Sequence, residues 1–465
     1  MPMTAAATGH REKILLLIAA IAAMAAAVAW KASGAAALNV SLRWIGLLAL
    51  IGYGCLRRTL STWIFIAMLL GAEIGYDLPI VATHLRVLAL IFLRLIKAII
   101  APLLFATLVV GIAGHSNLRQ VGRLGLRSII FFEVITTIAI FLGLGAINLS
   151  KAGVGVQLPS TTTSDATSVS KLSAEDTILH VFPENIAKAV ADNAVLQVVV
   201  FSLIFAIALA TISEEKRRPL LTLCESLAET MFKFTNIVMY MAPVGVGAAI
   251  AYTVGHTGLG ILGSLLKLIV TLYAALVVFI VGVLLPVALL CRVPLKRFIR
   301  AVAEPVTIAF GTSSSEAALP SAMEQMEAMG VPRQIVAFVI PTGYSFNLTG
   351  SSLYLSVAAI FVAQVAGLHL SLGQQFMIAF TLMLTSKGVA GVSRAALVIL
   401  LATATSVGLP TEPVFILLGV DQLLDMGRTA VNVLGNCLAT VVMAKWEGEF
   451  GIEQPSAVVA EAARS

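Results

Sequence analysis

The chain has 465 residues, of which 59% are hydrophobic and 12% are charged, and its net charge is +6. Soluble domains carry about 25% charged residues, so this chain has too little charge to cover a water-soluble globule of its size. Many apolar runs approach the ~20 residues that cross a bilayer, which predicts an all-α polytopic membrane protein. The positive charge is typical of cytoplasmic loops and does not indicate a nucleic-acid partner.

Before residue 300, apolar runs alternate with basic stretches such as the predicted loop at Arg119, Arg123 and Arg127. The polar stretch 148–193 is predicted to be an extracytoplasmic loop. This alternation predicts a plasma (inner) membrane protein with both termini in the cytoplasm. The predicted spans of this half are Ile14–Trp30, Trp44–Cys55 with its flanks, Leu60–Tyr76, Val87–Ile112, Ser128–Ile147, Leu196–Ile212, Leu220–Tyr252 and Leu259–Leu290.

After residue 300, four polar clusters interrupt the apolar sequence. Polar backbone at membrane depth is tolerated only where it is buried in protein or lines a wet cavity. Ala301–Gly330 and Leu370–Gly408 are therefore predicted to form two re-entrant helical hairpins, while Gln334–Ala366 and Pro413–Ala444 are predicted to span the bilayer. The four clusters are Gly311–Glu316, Asn347–Ser352, Ser386–Arg394 and Asp421–Asn436.

The last cluster carries the most chemistry. Asp421, Asp425 and Arg428 recur at intervals of three or four residues and lie on one helix face with Thr429, Asn432 and Asn436. An ionisable residue at the centre of a membrane helix costs roughly 3 kcal/mol, so these side chains need partners or a ligand. One interpretation is a structural Asp425–Arg428 ion pair. The other is a bipolar site: Arg428 binds a carboxylate, Asp425 an ammonium and Asn432 a second carboxylate, as an acidic amino acid requires.

Two further clusters contribute candidate ligands. Ser313, Ser314 and Ser315 predict either a flexible turn or a carboxylate seat at a helix start. Glu316 beside them is either a capping carboxylate or a protonatable group. Asn347 can break a helix and expose carbonyl oxygens to a hard cation, which prefers oxygen ligands.

Taken together, the four clusters resemble the dicarboxylate/amino acid:cation symporter family, the glutamate transporters, from about Leu60 onward. The resemblance implies a fold of about eight family transmembrane helices and two re-entrant hairpins, preceded here by one or two extra N-terminal spans. It also implies a homotrimer whose transport domains move like elevators. The motifs that carry it are Thr312–Pro320, Asn347-Leu-Thr-Gly-Ser351, Ser386-Lys-Gly-Val-Ala-Gly-Val-Ser-Arg394 and Asp421-Gln-Leu-Leu-Asp-Met-Gly-Arg-Thr-Ala-Val-Asn432.

The resemblance implies roles as well. Arg428 would hold the substrate's side-chain carboxylate and Asp425 its amino group. The predicted regions are extra apolar segments at 1–59, scaffold and peripheral helices at 60–300, a core transport region at 301–445 and a cytoplasmic tail at 446–465. The full implied substrate set is Ser313, Ser314, Ser315, Ser351, Gly391, Val392, Asp421, Asp425, Arg428, Thr429 and Asn432.

The departures from the family concern the coupling ion. Sodium-driven members commonly have Asp where this chain has Thr349 and Asn436, and Arg394 adds a positive charge at the second tip. A proton is therefore predicted to couple, because a buried carboxylate can take one up when desolvation disfavours its charged form. The candidate coupling residues are Glu133, Thr136, Thr137, Glu316, Gly343, Asn347, Thr349, Arg394 and Asn436. The alternative is a sodium ion held by the carbonyls of Gly343, Asn347 and Asn432.

The predicted function is therefore a proton-coupled symporter of glutamate or aspartate that needs no cofactor other than its coupling ion. A sodium-coupled or C4-dicarboxylate symporter of the same family is the alternative, and an anion channel is the alternative from another class. An intramembrane enzyme is disfavoured, because the sequence contains neither an HExxH nor a GxSxG motif.

Overall fold

The computed structural model describes residues 15–23, 26, 36–113, 118–156, 182–191, 195–385, 395–406, 409–410 and 413–451. Within these ranges every regular element is a helix, which confirms the all-α prediction. The second hairpin tip, Ser386–Arg394, lies outside the described residues, and the run Ile14–Trp30 lies partly outside them.

The described helices before residue 260 are α1 (Ala36–Arg57), α2 (Leu60–Asp77), α3 (Pro79–His84), α4 (Arg86–Ala113), α5 (Leu118–Ser150), α6 (Ile186–Ala191), α7 (Val195–Thr211), α8 (Glu214–Met239) and α9 (Ala242–Thr257). Those after it are α10 (Gly260–Phe279), α11 (Leu285–Leu290), α12 (Leu295–Thr312), α13 (Ser315–Ala328), α14 (Arg333–Phe346), α15 (Thr349–Val365), α16 (Leu372–Thr385), α17 (Ala395–Ser406), α18 (Pro413–Leu418) and α19 (Asp421–Glu447). A π-helical turn joins α10 to α11.

Six stretches of the described chain are long and apolar enough to cross a membrane, and the bent pair α8–α9 makes up to seven. This number of apolar helices defines a multi-pass membrane protein. The six stretches are Asn39–Arg57, Leu60–Asp77, Pro79–Val110, Arg123–Ser150, Gly260–Leu290 and Arg333–Val365.

The predicted basic loop at residues 119–127 is wrong, because α5 already begins at Leu118. Arginines four residues apart lie on one helix face. Arg127 Nη1 lies 2.8 Å from Glu447 Oε1 near the end of α19, and Arg123 pairs with the same carboxylate. Arg123 and Arg127 interact favourably with Glu447 and with the negative end of the α19 helix dipole. These interactions stabilise residues 119–127 as part of helix α5.

The predicted long segment Leu220–Tyr252 consists of two helices, because the chain bends by 51° between α8 and α9. Pro243 stands in the first turn of α9, where proline is tolerated but cannot donate the hydrogen bond that would continue α8.

The polar stretch 148–193, which was predicted to be a loop, contains a short helix, α6. The Asn185 side chain caps it by accepting a hydrogen bond from the Ala187 N–H at 2.8 Å.

One of two compact units comprises residues 1–95 and 236–262. Its helices α2 and α9 approach closely through small residues, since a Cβ added at Gly71 would lie 2.2 Å from the Gly247 carbonyl oxygen. Helix α1 is held to α2 by Arg43, which lies 3.1 Å from Glu73 and 2.9 Å from Asp77.

The other unit comprises residues 96–235 and 263–465. Helix α15 packs along α5, and α12, α14 and α15 all pack against α19. Nearly every residue of α15, and most of α19 up to Ala444, is buried. The polar stripe predicted on α19 therefore lies inside this unit.

Candidate functional site

The serine-rich segment forms a tight turn between α12 and α13. Ser313 ends α12 in the left-handed conformation, with φ of 53°. Ser314 then caps α13, because its Oγ accepts a hydrogen bond from the Ala317 N–H at 3.3 Å. Ser315, the first residue of α13, is buried. The turn is thus a defined helix–turn–helix tip.

The predicted helix break at Asn347 is confirmed, since α14 ends at Phe346 and α15 begins at Thr349. The side chain of Asn432 on α19 provides a hydrogen-bond acceptor for the backbone N–H groups at the start of α15. Its Oδ1 accepts hydrogen bonds from the N–H groups of Gly350 at 2.8 Å and Ser351 at 3.2 Å. A Cβ at Gly350 would lie 2.2 Å from the Arg428 carbonyl oxygen, so only glycine allows α15 to begin so close to α19.

The centre of the site is an ion-paired group on α19. The Arg428 side chain is buried, with 1% exposure; its Nε donates to Asp425 Oδ1 at 2.8 Å and its Nη1 lies 3.4 Å from Asp421 Oδ1. Thr429 Oγ1 donates to Asp425 Oδ1 at 3.1 Å. The guanidinium carbon lies 4.3 Å from the ring centroid of Tyr354, whose hydroxyl is 3.3 Å from Asp421 Oδ1.

This geometry contains the structural ion pair considered above and is also suited to a ligand. Two carboxylates and one guanidinium leave a formal charge of −1 in a buried group. Charges removed from water are tolerated when their partners are well placed, and a bipolar ligand can replace those partners one for one. The arrangement can therefore bind an ion that carries both a carboxylate and an ammonium.

Several of the predicted substrate residues make side-chain contacts with one another or with a neighbouring helix. Gln422 Nε2 donates to Ser313 Oγ at 2.8 Å, which joins the serine tip to α19, and Asn432 Nδ2 donates to Ser351 Oγ at 3.0 Å. Gly391 and Val392 lie outside the described residues. The residues joined by these contacts are Ser313, Ser351, Asp421, Asp425, Arg428, Thr429 and Asn432.

Sequence reasoning missed Tyr354 and Gln422. Tyr354 follows Ser351 by three residues and so lies on the same face of α15. Gln422 is a polar residue directly after Asp421. Helical spacing could have indicated Tyr354, whereas nothing in the sequence pairs Gln422 with a tip 109 residues earlier.

A second polar cluster contains the residues predicted for a cation. Asn347 Nδ2 donates to Asn436 Oδ1 at 3.0 Å, and a Cβ at Gly343 would lie 2.2 Å from the same oxygen. Thr349 is fully buried beside Gly435. Asn347 Oδ1, Thr349 Oγ1 and Asn436 Nδ2 have no hydrogen-bond partner among the described residues. None of these side chains is charged, so the cluster is polar and neutral.

Glu133 lies on the part of α5 that is next to this cluster. The preceding Phe132 ring would be 3.5 Å from a Cβ at Gly343, so this part of α5 reaches the cluster. The Thr136 hydroxyl donates to the Phe132 carbonyl at 2.7 Å, and Thr137 Oγ1 lies 4.0 Å from Met383 Sδ.

The remaining coupling candidates fall elsewhere. Glu316 has an exposed side chain in the first turn of α13, and Arg394 lies outside the described residues. Across the described part of the chain, no group of three or more His, Cys, Asp and Glu side chains could hold a metal ion.

Discontinuous helices that bring ion-paired side chains into the interior of a multi-pass membrane protein define a class, the solute transporters. The chain belongs to the sodium:dicarboxylate symporter family, whose model matches residues 60–446. This match confirms the resemblance carried by the four motifs. Helix α1 precedes the matched residues, as predicted for the first apolar segments.

Characterised relatives cover most of the chain. The proton/sodium-glutamate symport protein of Geobacillus stearothermophilus is 42% identical over 421 residues, which are 88% of this chain and 100% of that protein. The proton/glutamate-aspartate symporter of Escherichia coli K12 is 43% identical over 412 residues, covering 85% of this chain and 94% of that protein. The C4-dicarboxylate transport protein of Anaeromyxobacter sp. strain K is 40% identical over 412 residues, covering 87% and 93%.

Proposed function

We propose that this chain is a secondary active symporter of acidic amino acids, with glutamate and aspartate as substrates. The observation that carries the proposal is the position of Arg428 between Asp421 and Asp425 in the interior of the protein. Relatives named as glutamate or glutamate–aspartate symporters support it. A solute without a carboxylate would leave the fork of Arg428 without a new anionic partner.

In the proposed complex, the side-chain carboxylate of the substrate accepts two hydrogen bonds from Arg428, beside the Ser351 hydroxyl. Its ammonium group pairs with Asp425, whose Oδ1 now accepts from Arg428 and Thr429. Asp421 stays with Arg428 and Tyr354. The side-chain carboxylate and the ammonium of the substrate thus meet partners of opposite charge. The substrate is an anion, so its binding adds one negative charge to the group, which a coupling cation would offset.

The main-chain carboxylate of the substrate is assigned to the serine tip and to Asn432. The N-terminal turn of α13 presents backbone N–H groups and the positive end of a helix dipole. Asn432 Nδ2 donates to Ser351 Oγ and carries a second hydrogen for the substrate. Gly391 and Val392 of the second tip complete the proposed seat.

The experiment is uptake of labelled aspartate into proteoliposomes that contain the purified protein. We expect unlabelled glutamate and aspartate to compete, and succinate and malate to compete poorly because they lack an ammonium for Asp425. Arg428→Cys is expected to lose acidic substrates. Equal competition by succinate would favour the C4-dicarboxylate alternative, which the Anaeromyxobacter relative also supports, and conductance without gradient-driven accumulation would favour the channel.

We further propose that a proton is the coupling ion. The cluster of Asn347, Thr349 and Asn436 is buried and neutral, so it offers a sodium ion no charge compensation. Coulomb attraction of about 1–4 kcal/mol per close ion pair is absent there. Glu133, one residue beyond Phe132, is the proposed proton carrier. Sodium held by neutral oxygens, including Asn347 Oδ1, is the alternative.

Vesicle uptake separates these ions. We expect an inside-alkaline gradient in choline buffer to drive accumulation of aspartate, and a sodium gradient without a pH difference to drive none. Strict sodium dependence would contradict the proton proposal. Accumulation retained in Glu133→Gln would keep proton coupling and assign it to another group.

The family resemblance supports a homotrimer with an elevator mechanism. It also supports the division into a scaffold at 60–300 and a transport region at 301–445. The basic stretches support a location in the inner membrane with both termini in the cytoplasm.

A further inference from the structure

Ser313 adopts a backbone conformation that residues other than glycine seldom adopt. Its φ of 53° places it in the left-handed region, where residues with a Cβ are uncommon. The residue is nevertheless buried, with 2% exposure, and it ends α12 at the point where the chain reverses into α13. A hydrogen bond from another helix would help to hold the tip in this conformation.

Gln422 supplies that contact from the first turn of α19. Its Nε2 donates to Ser313 Oγ at 2.8 Å, and its side chain is buried, with 4% exposure. It directly follows Asp421 and precedes Asp425 by three residues. The hydrogen bond therefore ties the serine tip to the turn of α19 that carries both carboxylates of the ion-paired group.

We infer that Gln422 is a positioning residue that sets the distance between the two carboxylate seats of the site and thereby the preference between four- and five-carbon acidic amino acids. The inference rests on the proposed function. Arg428 holds one carboxylate and the serine tip the other, so the tip position decides how long a diacid fits between them. Aspartate and glutamate differ by one methylene, which makes them suited to report that distance.

The shorter substrate depends more strongly on a fixed tip. Aspartate reaches both seats only when they are close, whereas glutamate tolerates a wider separation. Loss of the Gln422–Ser313 hydrogen bond lets the tip move away from α19. Loss of this hydrogen bond should therefore weaken the binding of aspartate more than the binding of glutamate, although no group that binds substrate is removed.

The test compares Gln422→Met with wild type in proteoliposome uptake, since Met nearly matches Gln in shape but cannot donate a hydrogen bond. We expect the KM for aspartate to rise roughly 3- to 10-fold, the size expected from the loss of one buried hydrogen bond. Vmax per amount of folded protein should stay within about twofold of the wild-type value. The ratio of the KM for aspartate to the KM for glutamate should rise. Gln422→Asn, whose amide is one methylene too short to reach Ser313, should behave alike and serves if the Met variant does not fold.

Two comparisons isolate the contact. Ser313→Ala removes the acceptor, so the double variant with Gln422→Met should be no worse than the more impaired single variant. Gln325→Met is the matched control, because Gln325 donates to Glu304 at 3.2 Å on the same hairpin but at an exposed position. This control should leave KM and the substrate ratio unchanged.

An unchanged ratio in both Gln422 variants, a loss confined to Vmax, or fully additive effects with Ser313→Ala would overturn the inference. Failure of the wild-type protein to take up either amino acid would instead overturn the proposed function. The two failures are therefore distinguishable in one set of assays.

Discussion

At the scale of single residues, Arg428 is compensated by two carboxylates and by the face of Tyr354. A cation over an aromatic ring gains up to about 2 kcal/mol when both groups are desolvated. The Tyr354 hydroxyl adds only a long contact of 3.3 Å to Asp421. The ring, more than the hydroxyl, should therefore hold Arg428 in place for a substrate carboxylate.

This predicts different results for two substitutions of Tyr354. Tyr354→Phe keeps the ring, so the KM for aspartate should rise by no more than roughly threefold. Tyr354→Leu removes the ring beneath Arg428 and should raise the KM roughly tenfold or more, as expected from the loss of a buried cation–π contact. Uptake kinetics at saturating driving force measure both, and equal impairment by Phe and Leu would show that the hydroxyl matters more than the ring.

Thr349 provides a second residue-scale prediction. Thr349→Asp introduces a carboxylate into the neutral cluster with Asn347 and Asn436. An anionic oxygen is a good ligand for a hard cation, and attraction of about 1–4 kcal/mol corresponds to at least a several-fold gain in sodium affinity. We expect sodium to raise the apparent melting temperature of the variant in detergent and to leave wild type unchanged.

Thr349→Asn is the control for that experiment, because it changes shape and polarity without adding charge. A sodium effect of equal size in wild type, Thr349→Asn and Thr349→Asp would mean that neutral oxygens already bind the ion. No effect in Thr349→Asp would mean that the cluster cannot accommodate sodium even with a carboxylate.

At the scale of elements, α5 and α15 approach so closely that glycine is required at one position. A Cβ at Gly143 would lie 2.1 Å from Ser356 Oγ and 2.6 Å from the Leu353 carbonyl oxygen. The backbone would have to move, which typically costs about 1–3 kcal/mol. Helix α15 carries Tyr354, and its first turn is hydrogen-bonded to Asn432. The close packing of α5 against α15 therefore also helps to position the proposed substrate site.

Gly143→Ala is therefore expected to lower the apparent melting temperature and to raise the KM for aspartate. Gly145→Ala on the same helix is the matched control, because a Cβ there meets nothing within 4 Å. Alanine is a better helix former than glycine by up to about 1 kcal/mol, so the control should be neutral or stabilising. Equal destabilisation by the two variants would contradict the close approach.

The hairpin elements show how far the sequence predicts the fold. Interrupted apolar patterning predicted Ala301–Gly330, and the structure contains α12 and α13 joined at Ser313–Ser314. The same patterning predicted Leu370–Gly408, of which the arms α16 and α17 are described. The bend between α8 and α9 was not predicted, because both sides of Tyr240–Met241 are apolar and only Pro243 marks the break.

At the scale of the whole molecule, the proposed homotrimer predicts a native mass near three protomers in mild detergent. The protomer mass is 48.8 kDa. Native mass spectrometry or light scattering with detergent correction measures the assembly, and a mass of one protomer would contradict it.

The sequence by itself determined the all-helical class, several of the long apolar helices, the helix break at Asn347 and the polar stripe of α19, because these depend on local composition and helical spacing. Only the tertiary structure decided which distant groups meet. Tyr354 contacts Asp421 across 67 residues and Gln422 contacts Ser313 across 109, and no period in the sequence links them. The reason is physical: a helix face follows from spacing along one element, whereas a contact between elements follows from how closely their backbones pack, as Gly143 and Gly350 permit.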